Sequence, residues 1–157
     1  MDGQGFFTTI AGLGVSIAGF AGLIAALRST DNWTEIDTWR FRAIIGYGFQ
    51  AALLALIPIP VFTFTGDERL TVRIASGCLV ATALLEMVAL KRAPSILWPT
   101  GKTWDYVFGV VLFVAPQLVN VVWGHLGLFQ IGLLAHLIHP ANVFLNVVHD
   151  RGPKSIL

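Results

Sequence analysis

Five long, mainly apolar stretches follow one another along this chain, at residues 6–27, 41–64, 70–90, 106–123 and 126–148. A helix rises 1.5 Å per residue and the hydrocarbon core of a bilayer is about 30 Å thick, so about 20 apolar residues suffice for one crossing. The stretches are continuously apolar instead of alternating, which argues against barrel strands, and lipid tolerates no open sheet edge. The expected fold is therefore all-α, a polytopic integral membrane bundle of five transmembrane helices in a single domain spanning 1–157. Gly124, His125, Leu126 and Gly127 form a very short uncharged link between the last two stretches. The alternative is four crossings plus a re-entrant hairpin.

Composition narrows the function classes. The 157 residues are 55% hydrophobic and 12% charged, half the charged share of an ordinary soluble domain. A net charge of +1 gives no basic surface for phosphates, so the expected partner is the lipid bilayer and no nucleic acid. Cys78 is the single cysteine, which excludes an intrachain disulfide. The opening MDGQGFF lacks the basic region of a cleaved signal peptide, so the first stretch is expected to remain. No P-loop, paired-cysteine metal site or GxSxG elbow occurs, and no enzymatic activity is expected.

Basic residues set the orientation. With the N-terminus outside, Arg28, Arg40, Arg42, Lys91, Arg92, Lys102, Arg151 and Lys154 fall on the inner side, leaving Arg69 and Arg73 outside. This predicts a multi-pass protein of a bacterial cytoplasmic (inner) membrane with its C-terminus in the cytoplasm. Trp98, Trp104, Tyr106 and Trp123 fall near the predicted interfaces, and residues 29–38 read as a solvated connector, with a short surface turn or helix as the alternative.

Gly14, Ala18, Gly22 and Ala26 recur every fourth position of the first helix. Lipid supplies little hydrophobic drive for helix association, so such a small-residue ridge predicts a close helix interface. Its partner is a helix of the same chain or of a second subunit. Five helices make a thin bundle, from which we expect a homo-oligomer or further membrane subunits.

Polar side chains in hydrocarbon are costly and usually face protein or a water-filled cavity. Counted from the inner helix ends, Ser16, Gln50, Thr82, Gln117, His136 and His139 all fall at a depth of roughly 12 to 18 Å. Asn120 lies toward the outer side of this level, Asn142 and Asn146 toward the inner side. Pro116 and Pro140 predict kinks, since proline offers no N–H to the helix ladder. Kinked helices meeting at mid-depth are a pattern used by transporters, while the same amides also serve as interhelical glue.

The charged residues have structural partners within reach. Glu86 is placed to pair with Arg42, and Arg73 with Asp67 or Glu68; Glu86 is also a candidate proton carrier. His136 and His139, three apart, suit a proton relay or a shared metal. Two ligands on opposite haem faces must come from different helices, and no other predicted helix has a central histidine, so a second would have to come from a symmetry-related chain. His125 and His149 fall at the helix ends, near water or headgroups.

The opening TIAGLGVSIAGFAGLIAALR, with Trp33 and the basic WRFR leading into the second stretch, resembles short bacterial polytopic proteins recorded as hypothetical membrane proteins. The resemblance covers the first third of the chain and implies no activity, cofactor or site residue.

The sequence thus predicts a small-ion or proton channel or transporter. Its pathway residues would be His136, His139, Gln117, Asn120, Asn142, Asn146, Glu86, Gln50 and Ser16. The competing expectations are a non-catalytic subunit or scaffold of a membrane complex, and a haem or metal protein using His136 and His139.

Overall fold

A computed structural model describes residues 3–27, 34–90 and 103–149. All the secondary structure among the described residues is helical: α1 (Gln4–Leu27), α2 (Glu35–Leu56), α3 (Pro58–Thr65), α4 (Glu68–Leu90), α5 (Thr103–Trp123) and α6 (Leu126–His149). Three helical stretches are long and apolar enough to cross a membrane: Gln4–Leu27, Asp37–Thr65 and Leu126–Leu145. Such a set of helices is compatible with a membrane location.

The second helix starts well before the apolar run that reveals it. The Thr34 hydroxyl accepts from the Asp37 N–H at 3.1 Å, and the Asp37 carboxylate accepts from the Thr34 N–H at 3.4 Å, a reciprocal capping box. Residues 35–38, expected in a connector, are therefore the polar first turn of α2; residues 29–33 lie outside the described ones. At its other end the expected single stretch 41–64 divides at Ile57. Pro58 and Pro60 have no N–H to give to the preceding turn, so α2 stops at Leu56 and α3 resumes at Pro58.

Helix α6 occupies the middle of the bundle, touching α1, α2, α4 and α5, while α1 lies along α2 and α4 along α5. Phe7 and Ile10 of α1, Leu54 of α2, Leu79 of α4, and Phe129 and Leu133 of α6 form the main core. A smaller cluster at the start of α2 joins Phe41 and Ile44 to Ala21 of α1, with Val143 and Phe144 of α6 against it.

Between these large residues the interior is filled by alanines, including Ala11, Ala18, Ala21, Ala51, Ala52, Ala55 and Ala75. Phe20, Leu53, Phe64, Leu85, Ile138 and Leu145 instead point outward and are mostly exposed. Small inside and large outside is how helices pack when their surroundings are as apolar as their own side chains.

The tightest contact is between α1 and α2. A Cβ on Gly14 would lie 2.5 Å from the Gly48 carbonyl oxygen, and one on Gly48 would lie 2.7 Å from the Gly14 carbonyl oxygen. The two backbones touch directly. Gly14 and Ala18 are buried there, Gly22 is half-buried and Ala26 is exposed. The ridge therefore packs within the chain, over its first half only.

Candidate functional site

Three polar side chains from three helices meet inside the bundle. Gln50 on α2 donates its amide N–H to the Glu86 carboxylate on α4 at 2.6 Å. The same carboxylate oxygen lies 4.0 Å from Nε2 of His136 on α6. His136 is buried and the Glu86 side chain is 20% exposed. Two rings enclose the imidazole: Tyr47 of α2 edge-on at 6.3 Å and Phe113 of α5 tilted at 5.9 Å.

Chemically, this junction unites an amide donor, a carboxylate and an imidazole in low-dielectric surroundings. A carboxylate and an imidazole can each hold or release a proton, and they face each other at a distance that one small step or one water bridges. The helix repeat explains the enclosure. Tyr47 and Gln50 are three apart and share one face of α2, so a single helix supplies both the ring against His136 and the amide on Glu86.

A second polar group lies nearer the α5–α6 turn. Asn120, fully buried, donates to the Ser76 hydroxyl on α4 at 2.9 Å and accepts from the His125 N–H at 2.7 Å. One amide thus ties α4, α5 and the turn together. Gly124 makes the turn with φ +66°, a backbone conformation that L side chains rarely adopt, and donates its N–H to the Asn120 carbonyl at 2.8 Å. Gln117, also buried, donates to the Leu128 carbonyl of α6 at 2.8 Å, and its Oε1 is buried without a hydrogen-bond donor. Gly132 makes room for that amide, since any Cβ there would collide with it.

The expected polar layer is therefore two groups, and several of its members stand apart. Ser16 is exposed and donates to the Gly12 carbonyl of its own helix at 2.8 Å. Thr82 likewise satisfies itself on the Cys78 and Leu79 carbonyls. Asn142 is exposed. The side chains of His139 and Asn146 lie outside the described ones, as do those of Trp104, Tyr106 and His149. α5 and α6 stay helical through Pro116 and Pro140, with Pro140 buried and Pro116 exposed. Among the described residues, no three His, Cys, Asp or Glu come together to hold a metal ion.

Both expected ion pairs are replaced. Glu86 engages Gln50 and His136 instead of Arg42. Arg73 and Arg69 donate their Nε–H to the Val121 and Trp123 carbonyls at 2.8 and 2.9 Å, capping the negative end of the α5 dipole. Asp67 meanwhile accepts from the Leu70 N–H at 3.0 Å and caps α4.

Sequence reasoning did not single out Tyr47, Phe113, Ser76 or Gly48. Only Gly48 carried a readable signal, for Gly48 and Ala52 repeat the four-residue small spacing of Gly14 and Ala18 on the facing helix. Comparison of the chain with family models, with curated proteins and with solved structures finds no match, so the reading of this junction stands on its own geometry.

Proposed function

We propose that the chain is an integral protein of a bacterial inner membrane, crossing it five times with the N-terminus outside, and that it carries protons or a small ion through the Gln50–Glu86–His136 junction. Length supports five crossings. At 1.5 Å per residue, α4 with 23 residues and α5 with 21 each reach about 30 Å or more, as the bilayer core requires. The observation that carries the transport reading is the meeting of a carboxylate and an imidazole from separate helices, enclosed by aromatic rings. Intramembrane ionisable groups are expensive to keep, and they generally mark proton or ion routes. The buried acceptor of Gln117, one helix turn from Asn120, extends a polar track from the junction toward the α5–α6 turn. Self-association of this thin bundle completes the proposal.

The test is flux into proteoliposomes containing a pH-sensitive dye. Wild type is expected to dissipate an imposed proton gradient faster than empty vesicles. Glu86→Gln and His136→Ala are each expected to lower that rate roughly hundredfold, the usual weight of a positioned acid or base. Wild-type vesicles no leakier than empty ones, across proton, sodium and potassium gradients, would refute transport.

A second reading, a non-catalytic subunit of a larger membrane complex, is favoured by Asn120. Its hydrogen bonds to Ser76 and the His125 N–H are purely structural. Co-purification of other membrane proteins at a fixed ratio would support it.

A further inference from the structure

Arg42 has lost its expected partner, and its surroundings suggest another. It is exposed, and among the described residues no carboxylate lies within ion-pairing distance of it; Glu86 is held by Gln50 and His136. Arg42 lines an open-sided groove of about 330 Å³ together with Trp39, Ala43, Gly46, Tyr47 and Gln50, all on one face of α2. Gly46 adds no side chain to the groove floor, and a Cβ built there meets nothing within 4 Å.

Depth places this groove at a membrane surface. The apolar stretch Asp37–Thr65, interrupted at Ile57, has 29 residues and spans at most about 44 Å at 1.5 Å per residue, against a hydrocarbon core of about 30 Å. Centred on that core, it projects by roughly five residues at each end, which puts Trp39 just outside the hydrocarbon and Arg42 at its edge. That is the level of lipid phosphates. A guanidinium facing lipid there needs an anion, and its planar fork of donors suits phosphate oxygens. Trp39 offers the indole body expected at this level.

We propose that the Trp39–Arg42–Gly46 groove is a binding site for the phosphate headgroup of an anionic phospholipid of the inner leaflet. The site rests on the membrane-spanning reading but not on transport. Arg42 binds the phosphodiester, Trp39 flanks it at the interface, and the hollow over Gly46 takes the glycerol portion.

The test uses native mass spectrometry of the purified full chain in detergent, supplied with phosphatidylglycerol or phosphatidylcholine. Wild type is expected to retain phosphatidylglycerol in preference to phosphatidylcholine. Arg42→Gln should lower that retention about fivefold, the scale of one basic side chain at an anionic membrane surface. Gly46→Leu, which fills the hollow and leaves the charge, should lower it as well, and Arg40→Gln should not. Equal retention of both lipids would overturn the site, as would losses in Arg40→Gln as large as in Arg42→Gln. Displacement of the lipid by millimolar inorganic phosphate would assign the groove to the free ion and overturn the lipid. Both variants must elute as monodisperse particles; if Arg42→Gln does not, Gly46→Leu alone decides. Alkaline carbonate extraction of the cell membranes from which the chain is purified separates the two readings: release of the chain overturns the spanning reading and the site with it, whereas a retained chain with unselective lipid binding overturns the site alone.

Discussion

The α1–α2 seam and the α4–α5–α6 junction hold helices together by opposite means. At the seam Gly14 and Gly48 bring two backbones into contact, and Ala18 and Ala52 fill the space beside them. Around Asn120 and Gln117 amides bridge the helices instead, Asn120 to Ser76 and Gln117 to the Leu128 carbonyl. Where burial of apolar surface yields little, both shape fit and hydrogen bonding supply association. They fail differently. A seam of touching backbones has no slack, while a hydrogen bond can be lost without moving a helix.

That contrast can be broken from either side. The largest expected effect is at the seam: Gly14→Leu forces a side chain into the Gly48 carbonyl and should cost about 3 kcal/mol, read from unfolding in mixed detergent micelles. Gly22→Leu, where a Cβ meets nothing within 4 Å, should be nearly neutral in the same assay. Equal losses at the two positions would remove the claim that backbone contact holds the seam.

Asn120→Ala should cost less, about 1.5 kcal/mol, because two hydrogen bonds go but no atoms collide. The loss should be much the same with Ser76 replaced by alanine in the background plus Asn120→Ala as in Asn120→Ala alone. Additive losses would mean that the two residues do not share a bond.

Gly132→Ala should destabilise by about 1 kcal/mol through its collision with the Gln117 amide, and Gln117→Ala should abolish that penalty. A Gly132→Ala penalty that persists in the double variant would place the collision elsewhere. The smallest change is expected of Arg73→Gln, about 0.5 kcal/mol from losing one cation at the end of α5, and diminishing with added salt.

The contrast also explains what could be read in advance. That the chain is helical, and the rough limits of its helices, were legible because about 20 apolar residues in a row have few other uses. The α2 start was missed by several residues, since a capping box is a local hydrogen-bond device with polar side chains, outside any apolar count. The break at Ile57 was missed although Pro58 and Pro60 mark it. At the site, counting residues along each helix brought Gln50 and His136 to one level but set Glu86, which meets both, about two turns away from it. Direction around each helix was not legible. Ser16 and Asn142 share the level of Gln50 and His136 or lie near it, yet both are exposed. Glu86 and Arg42 had compatible depths, but Gln50 and His136 took the carboxylate.

Sequence alone determined that this chain would form long apolar helices with small-residue ridges and a few polar groups at mid-depth, for those properties follow from residue type and spacing along a single helix. Only the tertiary structure decided which ridge meets which, that α6 is central, and that Glu86 faces His136 while Arg42 faces outward. The physical reason is that rotation of one helix about its axis is set by the helices it touches, and no residue within that helix carries the information by itself.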